Sequence, residues 1–145
     1  MKQIEDRINE IVKKIKQSEN MSEYCFLKGY EAEDIAQPLT EFVIVVTTLD
    51  TLIDMQFLGE AVSENLKGEM YVTNVKFRVY APKDCGGSGL LDLSGALCDA
   101  IKKVDTEKMC KDIKIGAVSY DSEAMTVYRD VTVQFSFCLY EEVGA

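Results

Sequence analysis

The sequence predicts an α+β fold: a mainly antiparallel sheet of about four or five strands with two packed helices, in the order α-β-β-(β)-α-β-β. Two amphipathic helical stripes stand apart from long alternating stretches, which segregates helices from antiparallel strands. The longest alternating run is Met125 to Tyr140. Its odd positions (Met125, Val127, Val131, Val133, Phe135, Phe137, Leu139) are apolar except for Arg129, and its even positions are mostly polar. Period two with β-branched and aromatic residues marks a strand with one buried face. At about 3.3 Å per residue this run spans roughly 50 Å, whereas a chain of 145 residues has a radius of gyration near ~15 Å. The strand is therefore expected to bend at a bulge or to protrude, and a protruding end is an edge open to another chain.

The other elements follow in order within one domain, 1–145. Over residues 2–18, Ile4, Ile8, Ile11, Val12 and Ile15 recur at steps of three and four, the stripe of a surface helix. Glu5, Asp6 and Glu10 precede Lys13, Lys14 and Lys16, as the helix macrodipole favours. Tyr24 to Leu27 reads as a short strand, and Pro38 turns Gln37 away from helix. Residues 40–49 are apolar on both faces and predict a central strand. Residues 50–69 have no clean period and read as a strand extension ending in an acidic, partly apolar loop. Between 31 and 69 there are nine Asp or Glu against one Lys. Met55, Phe57, Leu58, Val62 and Leu66 are too apolar for a free loop, and long loops on small domains are often contact elements.

Residues 69–81 alternate again and predict a second long strand, antiparallel to the first, whose Lys76 and Arg78 can face acidic cross-strand neighbours. Pro82 ends it, and P-K-D-C-G-G-S-G (82–89) opens a turn with Ser88 as the expected N-cap of the next helix. Leu90, Leu93, Leu97, Ile101 and Val104 make that helix's stripe over 89–104, and Gly95, Ala96 and Ala100 suit a close approach to the sheet. Residues 111–119 read as a strand, joined by the turn Y-D-S-E-A (120–124) to the long strand as a hairpin.

Composition narrows the function. A net charge of −9 argues against a nucleic-acid backbone or an anionic membrane as partner. No apolar run is long enough to span a bilayer, and the N-terminus is amphipathic rather than a signal peptide, so a cytoplasmic start is expected. There is no histidine, so neither a Cys–His nor a Ser–His–Asp arrangement can be built. Five scattered cysteines (Cys25, Cys85, Cys98, Cys110, Cys138) with no C-x-x-C pair read as small packed thiols, and no metal or cofactor site is expected. The enzymatic alternative is a small thiol-dependent enzyme or ligand-binding domain, with Cys85 activated by Lys83 and the following helix N-terminus.

Several segments together carry a family resemblance: A-Q-P-L-T-E-F at 36–42, F-L-G-E at 57–60, K-F-R-V-Y-A-P at 76–82, the loop and helix D-C-G-G-S-G-L-L-D-L-S-G-A-L, and the closing F-C-L-Y-E-E. In their order the chain resembles the tail terminator, or tail completion, proteins of long-tailed bacteriophages and phage-derived bacteriocin particles, most closely those of contractile tails. The resemblance covers nearly the whole chain from about residue 30 and contains no catalytic signature. It implies a non-enzymatic subunit of a homo-oligomeric, hexameric ring that sits on the last ring of tail tube protein and stops tube growth. The partners it implies are the tube, the sheath and the neck or collar, first in the cytoplasm and then in the particle. Another head–tail connector or a baseplate adaptor is the near alternative. The candidate interface residues are Met55, Phe57, Leu58, Glu60 and Glu64 of the acidic loop, with Arg129 and Tyr140 of the long strand.

Overall fold

The computed structural model describes residues 2–29, 39–54, 61–63, 66–83 and 86–142. The elements are α1 (Lys2–Gln17), β1 (Cys25–Lys28), β2 (Val43–Asp54), β3 (Ala61–Ser63), β4 (Leu66–Tyr80), α2 (Leu90–Val104), β5 (Cys110–Ile115), β6 (Ser119–Asp121) and β7 (Thr126–Glu142). The expected α+β class is the observed one. The strands form one sheet in the order β1-β2-β4-β7-β5, with β3 on β4 and β6 on β7; β1 pairs parallel with β2, and the other pairings are antiparallel.

Both helices cover the same face of the sheet. Ile4, Ile8, Ile11 and Ile15 of α1 are buried in one cluster with Leu90, Leu93, Leu97 and Ile101 of α2 and with Val75, Phe77, Val79, Val131, Val133, Phe135 and Phe137 of the sheet. Each such side chain contributes about 1.5–3 kcal/mol by leaving water, an upper figure because unfolded chains already bury some surface. The odd residues of β4 and β7 meet here because the two strands pair without a register shift, Val75 opposite Val133 and Phe77 opposite Val131. A smaller cluster of Leu39, Val43, Val45 and Tyr80 lies on the opposite face, at one end of the sheet. Val43, Ile44 and Val45 are all buried, which is the two-sided cover expected of a central strand.

Four local expectations are corrected. The N-cap position of α2 belongs to Gly89 rather than Ser88: its φ of 86° is left-handed, and a Cβ there would stand 3.3 Å from the Phe42 ring. Gly95 does not mark a close approach, since a Cβ there would meet nothing within 4 Å; the buried small residues of α2 are Ser94 and Ala100. The strand expected over 111–119 breaks into β5 and β6. At the break Gly116 donates its N–H to the Asp130 carbonyl (2.7 Å), and the Arg129 guanidinium donates to the Gly116 carbonyl (2.8 Å). Finally, Lys76 faces Thr47 and Thr132 across the sheet rather than carboxylates, while Arg78 does face Asp130.

The expected hairpin turn is present. Asp121 Oδ1 accepts hydrogen bonds from the Glu123 and Ala124 amides (2.9 and 3.2 Å), which pins the turn between β6 and β7. Asp105, buried just past α2, accepts from the Met109 and Cys110 amides (both 2.8 Å) and steers the chain into β5.

Candidate functional site

The long strand does not bend at a bulge. β7 keeps an unbroken register with β4 over the whole length of β4, from Tyr80 opposite Tyr128 to Leu66 opposite Glu142. The irregularities fall on its neighbours. In β2, Leu49 and Asp50 together oppose Asn74, a bulge bridged by a hydrogen bond from the Asn74 amide to Asp50 Oδ1 (3.0 Å). In β5, Lys111 is the extra residue.

The partners of β7 and β4 stop short. β5 reaches only Phe135, followed by one hydrogen bond from Ser136 N–H to the Met109 carbonyl (2.7 Å). β2 ends at Asp54 opposite Met70. Beyond those points β4 and β7 continue as a ribbon, with the three residues of β3 added on the β4 side among the described residues. Among the described residues, no strand pairs with the outer edge of β7 from Phe137 to Glu142, nor with the outer edge of β2 beyond Val46. Large apolar side chains are exposed near the ribbon's root: Leu49, Leu52 and Ile53, with Leu52 65% accessible. Strand edges with apolar neighbours are templates for another chain.

The sheet face away from the helices is open in its middle. There Arg78 donates from Nε and Nη2 to the two carboxylate oxygens of Asp130 (2.8 and 3.1 Å), and its guanidinium lies 4.0 Å over the Tyr128 ring. The Tyr80 hydroxyl donates to Asp121 (2.8 Å). Burial, then this hydrogen bond, pushes the Tyr80 phenol up to about 12. Burial alone would raise Asp121, but the hydrogen bonds from Tyr80 and from the Ala124 and Glu123 amides prevail and hold its carboxyl below the ordinary carboxylate range. These groups satisfy one another, so they act as a lock across β4, β6 and β7 rather than as free binding groups.

Of the residues expected at an interface, Met55, Phe57, Leu58, Glu60 and Glu64 lie outside the described residues. Tyr140 falls on the ribbon, at the register position opposite Gly68. Arg129 lies elsewhere, half-buried at the opposite end of β7, where it holds the Gly116 carbonyl while its Nε is buried with no hydrogen-bond partner among the described residues. Cys85 also lies outside the described residues, while Lys83 is exposed and its backbone N–H donates to the Leu39 carbonyl (3.1 Å). Burial pushes the thiols of Cys98 and Cys110 up, away from reactivity.

The sequence reading missed a groove at the β1 edge of the sheet. It has a volume of about 480 Å³ and runs between α1 and β1, with Val12, Phe26 and Val46 as floor and Lys13, Lys16 and Lys28 on its rim. The signal was the run of lysines on α1, which was assigned to the helix dipole alone.

Fold and site thus define an α+β sheet-and-helix protein whose longest strand pair runs past β2 and β5. A scan of the sequence against protein-family models matches none, and a search of curated proteins finds no match. Among the described residues no helix is long and apolar enough to cross a membrane.

Proposed function

We propose that this chain is a non-enzymatic structural subunit that assembles into a ring, caps the tail tube of a phage-like particle, stops tube growth and joins the tail to a neck, collar or sheath component. The observation that carries this reading is the β4–β7 ribbon. Its last four register pairs, Glu69–Leu139 to Leu66–Glu142, extend roughly 13 Å beyond the end of β2. Such a ribbon leaves backbone donors and acceptors for a neighbouring subunit or a tube end to pair with. The family resemblance supplies the particle.

The mechanism is geometric. One side of the ring matches the end of the tube, and the other lacks a surface on which the next tube ring can grow. Electron microscopy of particles assembled without this protein tests the reading. Overlong tubes support a terminator. Headless tails of normal length would instead assign the chain to the neck, and unchanged particles would remove it from the tail.

A further inference from the structure

We propose that the subunits of the ring join head to tail, with the β7 tail of one copy (Phe137–Glu142) seated in the lysine-rimmed groove beside β1 of the next. This rests on the ring reading above and names the surfaces that would form its joint.

Two observations place the contact. First, the sheet order puts β1 at one margin and β7, past the end of β5, at the other. Three consecutive β1 residues, Phe26, Leu27 and Lys28, line the groove. The lining also includes Val46 of β2, the register partner of Lys28, so the groove opens between α1 and the β1 margin of the sheet. Among the described residues no strand pairs with either margin, and an open edge at each margin is what a heterologous contact needs; one that closes makes a ring.

The second observation is charge. The chain carries −9, so copies repel at long range and must meet through locally complementary patches. Among the described residues the groove's lining holds three lysines and no carboxylate, over an apolar floor. Lys13 and Lys16 are exposed and form no ion pair among the described residues. The β7 tail has the matching composition, with Leu139 and Tyr140 followed by Glu141 and Glu142. It is an acidic, partly apolar strand for a basic, apolar-floored edge.

Native mass spectrometry of the purified protein, alone and with tail tubes, tests this on three variants. Lys13→Glu with Lys16→Glu, and Glu141→Lys with Glu142→Lys, are each expected to raise the subunit dissociation constant at least tenfold. The variant carrying all four changes is expected to return it to within about threefold of wild type. Hydrogen exchange on the wild-type protein is a second readout that needs no substitution: amides of residues 25–28 and 137–142 are expected to slow together on assembly. Wild-type rings with neither double variant weakened, no rescue by the fourfold variant, or no added protection at both segments would each overturn the proposed joint and leave the ring reading standing. A wild-type chain that stays monomeric alone and on tube ends overturns the ring reading and the joint with it.

Discussion

Arg78, on the open face of the sheet, serves the fold rather than a ligand, because Asp130 and Tyr128 already engage its guanidinium. A double-mutant cycle with Arg78→Met and Asp130→Ala tests that assignment. The pair is bidentate, and the two side chains keep 25% and 27% of their accessible surface. A fully exposed pair contributes ~0.2–1 kcal/mol, whereas a buried hydrogen bond to a charged group contributes ~1.5–3 kcal/mol. A quarter-exposed bidentate pair belongs between them, at about 1.5 kcal/mol. The stacking of Arg78 on Tyr128 adds about 0.5–1 kcal/mol, which Asp130→Ala does not touch. Arg78→Met should therefore cost about 2 kcal/mol, Asp130→Ala about 1.5, and the double variant no more than Arg78→Met alone, for a coupling near 1.5 kcal/mol. Urea unfolding followed by circular dichroism reads this as a shift of midpoint at constant slope. Additive losses, with coupling under about 0.5 kcal/mol, would refute the lock and return Arg78 to the pool of free binding groups.

Three further outcomes follow from the same geometry. Tyr80 has its phenol pKa raised in the folded state, so its contribution is complete below the unfolded value near ~10 and is lost as pH climbs towards about 12; Tyr80→Phe should flatten the fall of stability across that window, and an identical pH profile by thermal melting would contradict the assignment. Asp105→Ala strips the acceptor from two backbone amides and should cost about 2–3 kcal/mol, with Asp105→Asn recovering part of it in the same urea assay. Gly89→Ala forces a Cβ into a left-handed position 3.3 Å from the Phe42 ring and should cost about 1–2 kcal/mol, whereas Gly95→Ala, inside α2 and facing open space, should stabilise by up to about 1 kcal/mol.

The elements that were legible in the sequence are those with an unambiguous period. The stripe Ile4–Ile8–Ile11–Ile15 and the stripe Leu90–Leu93–Leu97–Ile101 each bury one helix face, so their spacing alone placed them. The alternation of β4 and β7 likewise fixed which residues face the helices, because a strand's side-chain period is two whatever its neighbours. What stayed hidden depends on neighbours. Ser88 has the chemistry of an N-cap, but the left-handed turn at Gly87 and Gly89 decides where α2 starts. The break at Gly116 follows from a backbone bond to Asp130, a residue far along the chain. Arg129 interrupts an apolar pattern because Gly116, brought beside it by the fold, offers a carbonyl. The groove at β1 was hidden for the same reason: Lys13 and Lys16 meet Lys28 only once β1 docks beside α1.

The central proposal is that a chain whose ribbon edge is unpaired among the described residues completes itself through other subunits. Negative-stain images of the purified protein, alone and added to tail tubes, test it most directly. The account predicts closed rings, with a mass of about six times the 16.3 kDa of one chain if the ring is hexameric, seated on tube ends. Single particles of one-chain mass under both conditions would contradict it.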